Sequence, residues 1–483
     1  MATPFRTPPP GRRVRARLRP GDILYDDRGE ALELQAELGG GGQGRVWSLT
    51  GGRAAVKILN AEGSDGPGEL RTRLAVVRRF DLAGIPIARP HSLLTGEHAG
   101  YTMELLDELA PVGALAAVPA SRPGAWFQET GGLARRLRLL SLAAEAFDRL
   151  HSRGIAYGDI SPGNILVSAS SDHDQVWLID PDNLSVERGH GGSAYFTTGY
   201  GAPEVVARTS GQDTLTDAFS FAVLAFQVLA LAHPFVGDDV YRYPDRHEPA
   251  AFAGRLPWID HTGDERNRTT QGLDRELVLT KGLRILARRA FEDGLHAPEK
   301  RPSMREWHEK LEQAALMMVP CPECGGTFHA ALALCPWCRR RERPPILRCD
   351  VHGHVPAGRV PDVDEDTETD RLQTLVLAAR QPRIVRARGA LLYLDRGPAD
   401  IPIDPGEPVA EFDWDGRERL LVRRVGRHPV WMVNRAARRV VELSTGEACP
   451  IDVAEAGRWT VHFGRRHEPH RFIKLLLPRT GAR

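Results

Sequence analysis

The chain has 483 residues, 42% of them hydrophobic and 26% charged, and a formal net charge of +1. Its length and apolar content support roughly two to four domains with buried cores, while the balanced charge excludes a global basic footprint for nucleic acid and any acidic excess. Six cysteines are too few for a disulfide scaffold in so long a chain and point to a reducing, cytoplasmic compartment.

The opening MATPFRTPPPGRRVRARLRPG combines prolines with six arginines and no acid, so residues 1–22 are expected to be a disordered basic tail, either a solvated leader or a contact for an acidic partner. No apolar core follows this start, so no signal peptide is expected. From Ala31 to Leu59, alternating apolar residues around a glycine cluster predict strand, loop, strand. The loop LGGGGQGRVW fits G-x-G-x-x-G-x-V with Gly39, Gly41, Gly44 and Val46. Its position between two strands excludes the dinucleotide and Walker geometries, and glycines there let backbone N–H groups approach a triphosphate; a plain flexible loop would read the same. The following strand, AAVKIL, carries Lys57, the one lysine in the first 280 positions of a chain with five. A compact ammonium fits between two phosphates and a carboxylate where a guanidinium would be too wide. A helix over 68–80 offers Glu69 as that carboxylate, with Glu62 as the substitute; an acid held only by the helix dipole is the alternative.

Residues 132–153 predict an amphipathic helix and 214–232 a helix apolar nearly all round, as a central buried helix would be. The stretch AFSFAVLAFQVLALAHPF at 218–235 carries Gln227, ends at His-Pro and falls short of the ~20 residues of a membrane span. Residues 275–316 predict further helix. Between them YGDISPGNILV at 157–167 holds Asp159, Pro162 and Asn164, and VWLIDPDNL ends an apolar strand at Asp180. Asn164 and Asp180 are the oxygen ligands that one or two Mg²⁺ would need. TTGYGAPEVV at 197–206, TLTDAFSFAVL at 214–224 and KRPSMREWHEKLEQ at 300–313 follow.

In order and spacing these segments resemble the eukaryotic-type Ser/Thr protein kinase domain of the bacterial kind, over about residues 31–316. The resemblance implies an α+β, bilobal fold: a kinase domain at 23–316 with a β-rich N-lobe at 23–106 and a helical C-lobe at 107–316. It implies ATP and Mg²⁺ as cofactors, Asp159 orienting or deprotonating a Ser or Thr hydroxyl, and Lys57 on the phosphates. YTMELL at 101–106 resembles the hinge, with Met103 as gatekeeper and the backbone of Glu104 to Leu106 facing adenine. Glu204 is implied to pair with Arg301, Asp217 to hold the catalytic-loop backbone, and Thr197 to face the substrate. The chain departs from the family in four places. Gly158 replaces an arginine that binds an activation-loop phosphate, Ser161 replaces a lysine, and Asp180-Pro181-Asp182 replaces D-F-G, keeping the metal ligand but losing an aromatic. Tyr157 stands where the family has His.

CPECGGTFHAALALCPWC gives Cys321, Cys324, Cys335 and Cys338 in a C-x₂-C-x₁₀-C-x₂-C array, expected to hold a structural Zn²⁺ as a zinc-ribbon-like module at 317–345. Cys449 is a bystander, and so is Cys349 unless it joins His352 or His354 in a stray metal site. A linker is expected at 346–370, where PDVDEDTETD is acidic. Short alternating stretches such as RIVRARGALLYL, PVWMV and RFIKLLL predict a small β-rich domain at 371–483 that selects substrates or partners. The reading is thus an ATP- and Mg²⁺-dependent protein Ser/Thr kinase without membrane or nucleic-acid partner. Its alternatives are a nucleotide-binding pseudokinase scaffold, motivated by Ser161 and Pro181, and a small-molecule phosphotransferase, because GDISPGN is similar to the loop of aminoglycoside-type kinases.

Overall fold

The computed structural model describes residues 18–40, 44–60, 67–186, 196–339, 342–357, 367–387 and 407–476. Residues 1–17 of the basic tail and 361–366 of the acidic run lie outside them. The chain divides into two compact units, Met1–Phe80 with Ala88–Asp107, and Asp81–Ile87 with Glu108–Arg483.

The first unit is an antiparallel sheet of β1 (Ile23–Tyr25), β2 (Ala31–Gly40), β3 (Gly44–Leu49), β4 (Ala54–Leu59) and β5 (Gly100–Glu104), paired in chain order, with α1 (Pro67–Val77) between β4 and β5 in sequence. Period-two alternation buries Leu32 and Leu34 of β2, which join Trp47, Leu49, Val56, Ile58 and Leu94 in one core. Helix α1 buries Leu70, Leu74 and Val77, spaced as one helical face. It ends three residues before the expected limit, in a turn.

The second unit begins with β6 (Leu109–Pro111), α2 (Pro123–Glu129), α3 (Gly132–His151), β7 (Ile155–Ala156), β8 (Ile165–Ser168), β9 (Val176–Leu178), β10 (Ser185–Val186) and α4 (Pro203–Val206). It continues through α5 (Thr214–Ala230), α6 (Asp238–Arg242), α7 (Pro244–Phe252), α8 (Arg275–Val278), α9 (Lys281–Arg288) and α10 (Met304–Leu316). Helix α5 starts at a capping box, in which Asp213 accepts from the Thr216 amide and Thr216 returns a bond. It is buried nearly all round, as its composition predicts, with Phe219 and Phe226 packed on Phe291. No helix among the described residues is long and apolar enough to cross a membrane. Strands β6, β8 and β9 form one small sheet, and β7 pairs with β10.

After α10 come β11 (Met318–Pro320) and β12 (Thr327–His329), which pair with each other. Next are β13 (Ile346–Val355), β14 (Thr367–Glu368), β15 (Gln373–Ala378), β16 (Arg383–Ala387), β17 (Glu407–Trp414) and β18 (Arg419–Arg424). The last are β19 (Val430–Asn434), β20 (Arg439–Leu443), β21 (Ala448–Asp452), β22 (Trp459–Phe463) and β23 (His470–Leu476). One sheet runs β14-β13-β23-β22-β19-β20 with β15 also on β13, and a second runs β16-β17-β18-β21. Phe412, Trp414 and Val422 of the second sheet share a core with Leu347, Met432, Val461 and Ile473 of the first.

One boundary differs from expectation. Residues 346–355, read as linker, form β13 inside the sheet, bonded to β15 on one side and β23 on the other. The cause is period-two burial of Leu347, Cys349 and Val351 with Arg348, Asp350 and His352 interleaved. Cys349 points into this core, so it and His352 alternate across the strand and form no joint metal site.

Candidate active site

In the first unit Gly39 pairs with Val46 across the β2–β3 turn, whose tip, including Gly41, lies outside the described residues. Gly44 sits so close to β4 that an added Cβ would come within 2.5 Å of the Ile58 carbonyl oxygen, so backbone approach, not loop freedom, demands glycine there. Val46 opposes Lys57, and Lys57 opposes Tyr101 on β5. Lys57 is 2% exposed, a buried ammonium on a central strand. Met103 is buried, Glu104 exposed and Leu106 half-buried. Glu69 departs from expectation: it stands exposed in the first turn of α1, and no ion pair joins it to Lys57 among the described residues. That is where the helix dipole alone holds an acid. Glu62 lies outside the described residues.

In the second unit the 157–164 loop joins β7 to β8 and is held from several sides. Asp217, 2% exposed in the first turn of α5, accepts the amides of Tyr157 at 2.6 Å and Gly158 at 2.9 Å, and takes His151 Nε2 at 3.0 Å. The Asp159 carboxylate accepts Asn164 Nδ2 on Oδ2 at 2.9 Å, and on Oδ1 the amide and hydroxyl of Thr197 at 3.1 and 2.9 Å. Burial pushes its pKa above the usual carboxylate value against these donors. Pairing of Ile165 with Leu178 brings Asn164 beside the end of β9, where the Ile179 amide bonds the Asn164 carbonyl at 3.0 Å. Asp180 follows in the left-handed region at φ 60°, a conformation that Asp tolerates better than most residues. The structure thus gathers Asp159, Asn164 and Asp180 around one hairpin.

The departures from the family pattern have structural counterparts. Tyr157 is fully buried against Phe147, and its hydroxyl donates to the carbonyls of Asn164 and Ile179, tying the loop to the strand before Asp180. Gly158 has φ 86°, and a Cβ there would strike the Gln212 side chain and the Asn183 carbonyl. Gln212 therefore fills space that an arginine at 158 would claim; nothing in the local sequence flags it. Pro181 starts a single 3-10 turn, Pro181–Asn183, that buries Asp182. Downstream, Arg301 forks onto Glu204 at 2.7 and 2.9 Å and onto the Leu215 carbonyl at 3.0 Å, fastening α4 to the base of α5.

The four cysteines of the 321–338 array converge, their sulfurs all within 4.8 Å of one another, and could hold a metal ion. Thiolates about 2.3 Å from one tetrahedral Zn²⁺ would lie about 3.8 Å apart. The Sγ–Sγ distances are 3.8 Å for Cys321–Cys338 and 3.7 Å for Cys324–Cys335. Gly325 and Arg339, each directly after the second cysteine of its pair, share a left-handed backbone at φ 70° and 53°. Burial raises the Cys324 thiol and pushes Cys335 up to about 12, so without metal these sulfurs keep their protons, and capture of a cation must release them.

Residues 32–252 match the family model of the protein kinase domain. The serine/threonine-protein kinase pkn2 of Myxococcus xanthus is 27% identical over 254 residues, covering 48% of this chain and 28% of its own. The DNA damage-responsive serine/threonine-protein kinase RqkA of Deinococcus radiodurans is 28% identical, over 50% of this chain and 37% of its own. Serine/threonine-protein kinase PknA of Mycobacterium tuberculosis is 29% identical, over 44% and 50%. The chain thus spans half or less of the length of these relatives.

Proposed function

We propose that this chain, whose residues 32–252 are a protein kinase domain similar to those of bacterial serine/threonine-protein kinases, transfers the γ-phosphoryl group of ATP to Ser or Thr hydroxyls of proteins. The observation that carries this reading is the Asp159 carboxylate, buried and oriented by Thr197 and Asn164 on a loop whose backbone Asp217 grips. Bound ATP and Mg²⁺ would supply the phosphoryl group and the charge neutralisation on which the chemistry runs. Lys57 would bind phosphate oxygens, and Asn164 and Asp180 present the amide and carboxylate oxygens that suit Mg²⁺. Gly39, Gly41, Gly44 and Val46 would cover the phosphates, and Met103, Glu104 and Leu106 would border the base.

Asp159 would accept the hydroxyl proton as the oxygen attacks, with Thr197 and Asn164 keeping one carboxylate oxygen aimed. Ser161 supplies no cation to the transferring group, which slows the reaction without removing any group that handles the proton. In this reading the first unit is the N-lobe and the helical part of the second the C-lobe of a bilobal fold. A structural zinc ribbon and a partner-binding β-rich region follow, in a cytoplasmic protein.

The exposure of Glu69 supports the second reading, a scaffold that binds nucleotide and transfers nothing. Incubation of the full chain with γ-labelled ATP, Mg²⁺ and Ser-, Thr- and Tyr-containing peptides separates the two. Phosphoserine and phosphothreonine in the acid hydrolysate are expected. ATP binding without any labelled amino acid would leave the scaffold. The Glu204–Arg301 anchor and Thr197 on Asp159 weigh against a small-molecule acceptor.

A further inference from the structure

Between α3, α10 and the C-terminal strands the second unit contains a cavity of about 410 Å³, a volume within the ~300–1,000 Å³ of small-molecule sites. One stripe of each helix lines it: Arg138, Ser141 and Glu145 of α3, and His308, Glu312 and Ala315 of α10, spaced three and four apart. The sheets supply the remaining wall. Val351 of β13 pairs with Gln373 on one side and Ile473 on the other, and Arg471 stands two residues from Ile473 on the same face. Strand β16 adds Arg383 and, on the rim, Ile384, which is 45% exposed. None of the described residues lining the cavity belongs to the 157–164 loop or to the four-cysteine module.

The charge of the lining is unbalanced. Arg138, Arg383, Arg386 and Arg471 stand against two acids, Glu145 and Glu312. Both acids are engaged: Glu145 accepts Arg149 Nη2 at 3.2 Å, and Glu312 accepts Gln373 Nε2 at 2.8 Å with His308 Nε2 at 3.9 Å. Arg138 shares Asp174 with Arg135. Arg383 directs Nη1 to the carbonyls of Val376 at 2.9 Å and Leu316 at 3.4 Å, and no carboxylate pairs with it among the described residues. A guanidinium keeps its charge at neutral pH, so Arg383 is a half-buried cation beside a like charge. Loss of hydration lowers its pKa and the Arg138 guanidinium lowers it further, a repulsion that a bound anion relieves.

We infer that this cavity binds a small phosphate monoester with an apolar or aromatic body, its phosphoryl group between Arg383 and Arg138 and its body against Leu375, Val409 and Phe463. A phosphate monoester carries close to two negative charges at pH 7 and accepts through three oxygens, so it can answer two guanidiniums where a carboxylate answers one. The site also lies on a joint. Gln373 bonds Glu312, and Arg383 bonds the carbonyl of Leu316 at the end of α10, so the strands are already tied to the helices there. A ligand in this cavity strengthens that tie, and its binding requires no phosphotransfer.

The test titrates the full chain calorimetrically with phenyl phosphate, inorganic phosphate, benzoate and phenol. Phenyl phosphate is expected to bind one to one, about ten-fold tighter than inorganic phosphate or benzoate, and phenol to bind not at all. Arg383→Gln should weaken phenyl phosphate about ten-fold or more. On the exposed rim, Ile384→Glu should weaken it about ten-fold while Ile384→Lys holds or tightens it; damage to the fold would weaken both alike. Lys57→Met should bind it as wild type does, since the nucleotide site is not involved. Stoichiometry reports the folded fraction of each variant separately from its affinity. The inference is overturned if phenyl phosphate shows no saturable binding, if inorganic phosphate or benzoate matches it, if the two Ile384 variants bind it equally, or if Lys57→Met weakens it.

Discussion

Asp159 is fixed by partners far away in the chain, Thr197 at 38 positions' distance and Asp217 at 59 to 60 from the amides it grips. The four sulfurs of the cysteine module are fixed instead by two short turns within 17 positions of each other. The loop holds its geometry only while distant helices stay packed, whereas the module carries its geometry in its own spacing. Damage far away should therefore disable the loop, while the module should answer to its metal.

The sharpest way to break this contrast is Arg301→Ala, which leaves the Glu204 carboxylate, its side chain 16% exposed, without its fork. Loss of one partner from such a pair costs about 3–5 kcal/mol, to be read as a lower urea midpoint at unchanged slope; a full-length variant with the wild-type midpoint would contradict it. Asp217→Ala strands the buried Tyr157 and Gly158 amides, at about 1–3 kcal/mol of stability. Since those amides set the loop that carries Asp159, the transfer rate should fall with little change in ATP affinity.

For the module, Cys335→Ser should remove zinc measured by elemental analysis, lower the melting temperature, and reduce transfer to Ser-containing peptides less than Asp217→Ala does. An equal or greater loss would erase the distinction. The smallest effect is a pH shift. Burial raises the Asp159 pKa and the Thr197 hydroxyl lowers it, so Thr197→Val lets it climb. Because the base must be ionised to take a proton, the acid limb of kcat/KM should move to higher pH, by less than about one unit. A limb that stays or moves down would contradict the assigned hydrogen bond.

Much of the site was legible in the sequence because its chemistry clusters. Asp159, Asn164 and Asp180 bracket one hairpin, so local spacing implies their proximity, and the four cysteines are closer still. Glu69 was harder, because which face of α1 turns to the sheet depends on how Leu70, Leu74 and Val77 pack, and the glutamate's own position says nothing of that. Gln212 was invisible, since only the folded backbone shows what occupies the space beside Gly158. Strand β13 could have been found: Leu347, Cys349 and Val351 alternate as a half-buried strand must, but the polar run of Asp350, His352 and His354 around and after them obscured the period.

The central claim is that Asp159 serves as the proton acceptor in phosphoryl transfer, and label transfer from ATP to a Ser-centred peptide by wild type and Asp159→Asn tests it most directly. The amide keeps the size of the side chain and loses the base, so the account predicts a rate about 10²–10⁴-fold lower with ATP binding retained. A variant that transfers phosphate within a few-fold of wild type would contradict it.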